Sequence, residues 1–290
     1  MNSVTKLLEP TVLFPPDADL AEGPVWDHRT GHLMWVDLFN GDLFEGQRNG
    51  LVKSRNSLGT FVGAVAPRKS KSGFAVACKD GFGIWDGGRL ELLDPVLAGT
   101  DHRMSDGKCD SRGRLWAGST HLQHDPTVGA LHRWDGTKPS EVMADGLTLP
   151  NGLGWSPDDT KMYLVESLAG KILVTEFDPE SGKIGEFETL VYIEGLIPDG
   201  LSIDIEGCIW VAIWGNSEVR RYSASGDLIS VVPMPVTQPS SCAFSPDGTL
   251  FITSARADLS AQDLLNQPHA GSVFSLTTNT RGVPVHPFAN

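Results

Sequence analysis

The chain has 290 residues, with 36 acidic against 23 basic side chains and a formal net charge of −13. Hydrophobic residues make up 40% and charged residues 20%, the balance of a folded globular protein rather than a disordered one. The acidic excess argues against a nucleic-acid partner, which needs a basic footprint, and no stretch reaches the roughly 18 apolar residues of a membrane helix.

The N-terminal run MNSVTKLLEPTVLFPPDADL lacks the apolar core and cleavage site of a secretory signal, so a cytoplasmic protein is expected. Its TVLF segment reads as a strand that pairs into the last structural unit and locks the molecule. From there, 32 glycines and 19 prolines punctuate short apolar runs, the mark of many short strands joined by tight turns.

One pattern then returns along the chain: a turn ending in Gly, followed by an apolar strand. It appears as RTGHLMWVD (Gly31), SKSGFAVAC (Gly73), DSRGRLWAG (Gly113), SPDDTKMYLV (with Asp159 in the Gly slot), IEGCIWVA (Gly207) and SPDGTLFIT (Gly248). The six anchors are separated by 42, 40, 46, 48 and 41 residues. A second short strand follows each, in order GDLFEGQ, GFGIWDGG, GALHRWDG, KILVTEFD, SEVRRYS and GSVFSLT. Only Ala257–Gly271, ADLSAQDLLNQPHAG, offers a short helical turn. Six β-units of this length predict an all-β protein, a six-bladed β-propeller over residues 1–290 as one domain, with both termini in one blade and a central channel. Two sandwich domains would not require so even a period, and the strand–helix alternation of a parallel α/β fold is missing.

Just before the anchors stand polar residues. Glu22 precedes Gly31 by 9 positions; Ser105, Asn151, Asp199 and Ser240 precede their anchors by 8. The second unit has the apolar VGAVAP there. Equivalent positions in a cyclic repeat sit at equal height, so these five converge on one mouth of the channel. The competing explanation is that the Asn-Gly and Asp-Gly pairs simply make turns. Glu22 and Asp199 supply two negative charges and Asn151 a neutral oxygen, a set suited to a hard divalent ion such as Ca²⁺, Mg²⁺ or Mn²⁺. Three protein ligands leave positions open for water or substrate.

Other motifs are weaker. His121 and His124 are three apart, which on a strand places them on opposite faces, so a zinc pair is not expected. A Ser-His-Asp triad has no nucleophile elbow, and no phosphate-binding or dinucleotide fingerprint is present. Cys78, Cys109, Cys208 and Cys242 contain no C-x-x-C pair and read as buried thiols. Trp35, Trp116 and Trp210 fall at strand positions and read as core.

AEGPVW, the R-x-S-D-G-K-x-D-x-x-G-R-L-W run from Arg103 to Trp116, LPNGLGWS, IPDGL-x-ID and LLNQPHAG together resemble the regucalcin / senescence-marker-protein / gluconolactonase family, from about Glu22 to Gly271. That resemblance implies a six-bladed propeller, one catalytic divalent metal in the channel (Ca²⁺ first; Zn²⁺, Mn²⁺ or Mg²⁺ as alternatives) and hydrolysis of a small-molecule sugar lactone. It matches Glu22, Asn151 and Asp199 to the metal ligands and Arg103 to a substrate-binding arginine. Ser105 stands where the family usually has Asn, and Gln123 where animal regucalcins have a substrate-contacting Glu. The metal set is thus complete while the substrate-binding set, Arg103, Ser105 and Gln123, is altered, so an anionic or bulkier lactone is expected. Asp199 is assigned a second role as proton acceptor. The alternatives are a metal-dependent esterase on another electrophile, a non-catalytic calcium-binding regulator, and a protein-binding scaffold with exposed aromatic patches and no need for inward carboxylates.

Overall fold

The computed structural model describes residues 4–290. Its strands form six separate sheets of four or five strands, each built around an antiparallel meander from one sequence unit, with N-terminal strands added to the fifth and sixth. The innermost strands, one per blade, are Ala21–Asp27, Val62–Pro67, His102–Cys109, Pro150–Trp155, Ile197–Ile203 and Pro239–Phe244. They are buried along nearly their whole length, as expected of strands that line the axis of a ring. Buried apolar side chains fall into six main clusters, and each joins two neighbouring blades. A single blade therefore has no core of its own. Its two faces become dry only when the next blade stacks on it, which is why the repeat must close.

The six anchors end the turns that follow the innermost strands. All have φ between +60° and +87°, Asp159 included. A left-handed residue is what each tight turn requires, and Gly or Asp tolerates it.

Closure follows the sequence expectation in one respect and departs from it in another. Thr11–Phe14, the TVLF run, pairs antiparallel with Val273–Thr277 as the outer strand of the sixth blade. The termini, however, are not confined to one blade. Thr5–Lys6 adds in parallel to Leu228–Pro233 of the fifth blade. Beyond the last strand the C-terminal tail crosses the anchor-side mouth. Val283 N–H donates to Ile203 O at 2.9 Å, Phe288 N–H to Pro67 O at 2.8 Å and Ala289 N–H to Gly113 O at 2.9 Å. Asn290 reaches Gly136 O at 2.9 Å. The tail thus ties the fifth blade to the second and third. The helix falls inside the expected segment, at Ala261–Asn266, with a capping box between Ser260 and Asp263. All four cysteines are free and buried.

Candidate functional site

Every innermost strand carries a register shift near its start. The breaks fall between Glu22 and Val25, Val62 and Ala64, Met104 and Gly107, Pro150 and Leu153, Pro198 and Leu201, and Pro239 and Ser241. These β-bulges coincide with the polar positions singled out in the sequence. A bulge breaks the period-two alternation and re-aims a side chain, here toward the axis. The Asn-Gly and Asp-Gly pairs are therefore bulges, not hairpin turns. Their glycines answer to close packing: a Cβ on Gly152 would stand 2.3 Å from Leu201 N, and one on Gly200 would stand 1.9 Å from Ser241 Oγ. In the second blade the bulge holds Gly63, where a Cβ would meet Ser105 O at 2.0 Å. That unit has no polar side chain because the neighbouring backbone occupies the space.

The bulges surround a cavity of ≈ 220 Å³ at the mouth opposite the anchor turns. Glu22, Arg103, Ser105, Asn151 and Asp199 all line it. Asn151 Nδ2 donates to Asp199 Oδ1, and to Ser167 Oγ at 3.3 Å. Glu22 accepts from Gly23 N–H at 2.8 Å. Ser105 does not project freely into the cavity, because its hydroxyl donates to Pro150 O of the next blade. Ser240 does not join the group. It is fully buried and stitches blade six to blade one, donating to Ala21 O at 2.5 Å. Gln123 is exposed and does not line the cavity; His124, the next residue, does. His124 lies past the end of the strand Leu115–His121 with φ of 57°, a conformation that strand periodicity does not foretell.

Two further residues enter the site without having been singled out. Asp106 lines the cavity beside Ser105 because the bulge turns both inward, and it accepts from Gly107 N–H at 2.7 Å. Lys108, two residues deeper in the channel, donates to Leu201 O at 2.9 Å. The only sequence signal for either was their place in the S-D-G-K run.

Three carboxylates, Glu22, Asp106 and Asp199, thus share a buried floor with Arg103, while Lys108 lines a separate cavity and reaches the floor only through its charge on Asp106. Burial, then the charges of Asp199 and Asp106, holds the Glu22 carboxyl well above its usual range. Burial and Asp106 do the same to Asp199, against the pull of Arg103. Asp106 is also raised by burial, with Lys108 opposing. Burial pushes Arg103 down to about 10, so it stays protonated at neutral pH. Such displaced groups converging in one cleft mark functional sites.

The tautomer of His124 follows from its partners. Thr120 Oγ1 donates its one proton to Thr148 O at 2.8 Å, so at 3.1 Å from His124 Nδ1 it accepts. Nε2 is then an unprotonated acceptor. Burial, followed by the charges of Arg103 and His121, lowers the pKa of this ring and so favours its neutral form. Among the described residues no group of three or more His, Cys, Asp or Glu side chains is arranged to hold a metal ion. His121 pairs with Asp125 at 3.4 Å, whereas His124 lines the cavity. The candidate set instead has two carboxylates and an amide.

A six-bladed propeller with a buried acidic floor at one mouth is the class that this fold and cavity define. Residues 20–256 match the SMP-30/gluconolactonase/LRE-like region, and the chain belongs to that family. It is 34% identical to a 6-deoxy-6-sulfogluconolactonase of Pseudomonas putida, covering 91% of this chain and 92% of the relative. It is 30% identical to an L-arabinolactonase of Azospirillum brasilense over 100% of this chain and 98% of that one. The crystal structure of a calcium-binding protein, regucalcin, from Agrobacterium tumefaciens superposes with a TM-score of 0.90 at 26% identity, covering 99% of both chains.

Proposed function

We propose that this chain is a divalent-metal-dependent hydrolase that opens a sugar lactone, and that the substrate is an anionic or otherwise modified lactone. The observation that carries the reading is the meeting of Glu22, Asn151 and Asp199 beside Arg103 in one cavity. The donor set fits a hard cation: carboxylate and amide oxygens, buried together with more negative charge than Arg103 and Lys108 cancel. Asn151 presents its nitrogen to Asp199, and a half-turn of the amide presents the oxygen instead. A divalent ion held by these three residues supplies Lewis-acid polarisation of the lactone carbonyl. Ca²⁺ is the first choice for an all-oxygen set, ahead of Mn²⁺, Mg²⁺ and Zn²⁺.

The chain's own groups do the rest. Arg103 orients the substrate by its guanidinium fork and pairs with an anionic substituent. His124 Nε2 accepts from a substrate hydroxyl. Asp199, whose carboxylate lines the cavity beside Glu22 and Asn151, takes the proton of the water that attacks the carbonyl carbon. As the ring C–O bond breaks, that proton passes to the leaving ring oxygen. Lactone hydrolysis is supported by the names of the two lactonase relatives, and an anionic substrate by the sulfo-substituted lactone in one of them. The chain works as one unit over residues 1–290, and its four free thiols suit a reducing, cytoplasmic setting.

The test is a pH-stat assay of metal-reconstituted protein on a lactone panel, with and without chelator, alongside elemental analysis. Chelator-sensitive turnover and one ion per chain are expected. Retention of stoichiometric metal by a Glu22→Ala, Asp199→Ala double variant would show that the ligands are misassigned. A second reading, a calcium-binding regulator, is favoured by the likeness to the Agrobacterium protein. Tight Ca²⁺ binding with no turnover of any lactone or ester would select it. Turnover of aryl esters alone would select the esterase reading.

A further inference from the structure

The cavity has two unlike sides. Arg103 and His124 come from the third blade and face it with polar groups. Above the polar floor, where Glu22, Asn151, Ser167 and Asp199 stand, the first, fourth and fifth blades carry an apolar rim of Phe39, Leu168, Ile197 and Trp214, with Leu20 and Leu38 behind, and the sixth blade adds Asp258. Phe39, Leu168 and Ile197 are 40%, 47% and 36% exposed, although each is a large hydrophobic side chain. The ring does not need them. Leu20 and Leu38 form with Ala255 a cluster of their own, with Trp214 packed against it, separate from the six clusters that weld blade to blade. Three blades thus send apolar side chains to one mouth, each from a short connection or strand end where a polar residue would cost nothing. Phe39 is further braced edge-on against Phe61, with ring centroids 5.9 Å apart, which holds it upright at the rim.

A bare polyol would gain little from such a wall. Hydroxyls set against it lose water without finding partners. An alkyl or aryl substituent loses nothing and removes apolar surface from water. From this asymmetry we infer that the physiological substrate carries an apolar substituent of several carbons, seated against Phe39, Leu168, Ile197 and Trp214 while the lactone ring faces Arg103 and the carboxylate floor. The inference rests on the lactonase reading and specifies its substrate class.

The experiment compares kcat/KM of the metal-loaded enzyme for δ-valerolactone and δ-decalactone, which share a ring and differ by a pentyl chain. A preference of about 10-fold or more for the pentyl lactone is expected, given what single methylenes contribute in apolar pockets. Leu168→Ser and Ile197→Ser, at exposed positions, are each expected to lower that ratio severalfold. Competitive inhibition by 5-hydroxydecanoate against 5-hydroxypentanoate gives a second, turnover-independent ratio that should fall with it. Equal turnover of the two lactones by wild type, or a ratio untouched by both substitutions, overturns the inference while leaving the lactonase reading standing. Failure to open any lactone removes both.

Discussion

The two mouths of the channel are built from the same six strands and turn out opposite in character. At one, bulges aim Glu22, Asp199 and Asp106 into a shared cavity, where burial raises all three carboxyls and repulsion adds to it at Glu22 and Asp199. At the other, the C-terminal tail crosses the anchor turns and seals the ring. Phe288 there is fully buried and stacks on Trp134 at 5.0 Å. One end concentrates unfavourable charge and the other concentrates favourable packing. A repeat fold can keep such a charge cluster because the cost is local while closure is shared by all six interfaces.

The sharpest way to break this comparison is at the charged mouth. Asp199→Ala is expected to lose the metal and to lower kcat/KM by more than about 100-fold, since even outer-shell partners of a metal are worth 10–100-fold. The same substitution should leave the metal-free protein melting no lower than wild type, because a desolvated and repelled carboxylate disappears. Activity, elemental analysis and thermal melts decide it. A large drop in metal-free stability would mean that Asp199 is a structural residue. At the sealed mouth the signs reverse. Phe288→Ala should cost about 3–5 kcal/mol in denaturant unfolding, the usual range for a buried Phe, with metal content unchanged. A loss below about 1 kcal/mol would show that the tail covers the ring without sealing it.

Proton linkage separates a residue buried inside a blade from the floor of the cavity more finely. His132 lies buried in the third blade, its Nε2 2.9 Å from Ser119 Oγ and its Nδ1 without a partner. Burial pushes its pKa down from 6.5 to about 4. Between those values the unfolded chain binds the proton and the folded chain does not. Its contribution is therefore complete above pH 6.5 and is lost as pH falls toward 4, by up to about 3 kcal/mol. Glu22 and Asp199 have raised pKa values, so the folded, metal-free protein binds more protons there, and stability falls as pH rises above the ordinary carboxylate range. Unfolding free energy against pH should flatten on the acid limb in His132→Gln and on the alkaline limb in Asp199→Ala. Unchanged limbs would assign the slopes to other groups.

What was legible in the sequence follows the same division. The anchors were readable because a turn that needs positive φ admits few residues, and Asp159 could stand in for Gly since Asp tolerates that region. Asn151 and Asp199 were readable because equal offsets in a cyclic repeat mean equal height, and Glu22 because it stands one position from that offset. The same logic overreached at Ser240, whose hydroxyl finds its partners inside the blade interface. Asp106 was missed because period-two reasoning puts it on the opposite face from Ser105, and only a bulge brings both inward. Gln123 was taken from the family resemblance alone, and the left-handed turn that puts His124 into the cavity instead has no signature in strand periodicity. The tail was invisible because Arg281–Asn290 has no periodicity; its partners are distant turns, not neighbours in a repeat.

The smallest expected effect concerns the polar wall itself. Arg103 Nη1 donates to Met104 O at 3.1 Å, and its charge faces Glu22 and Asp199. A divalent ion shared by those carboxylates would leave the guanidinium fork free for an anionic group on the substrate, a bidentate contact that an ammonium cannot copy. Arg103→Lys should therefore lower kcat/KM for an anionic lactone about tenfold more than for a neutral one, roughly the value of one charge-assisted hydrogen bond. Ser105→Asn should shift the same ratio only about twofold. Its hydroxyl is already committed to Pro150 O, and a Cβ on the facing Gly118 would stand 2.6 Å from that Oγ, so a longer side chain must turn into the cavity beside Arg103. There its amide competes for the guanidinium's place. The measurement is the anionic-to-neutral ratio of kcat/KM in wild type and the two variants, all loaded with the same metal. If Arg103→Lys slows both substrates equally and Ser105→Asn changes neither, Arg103 sets only the polarity of the wall, and the preference for an anionic lactone is withdrawn.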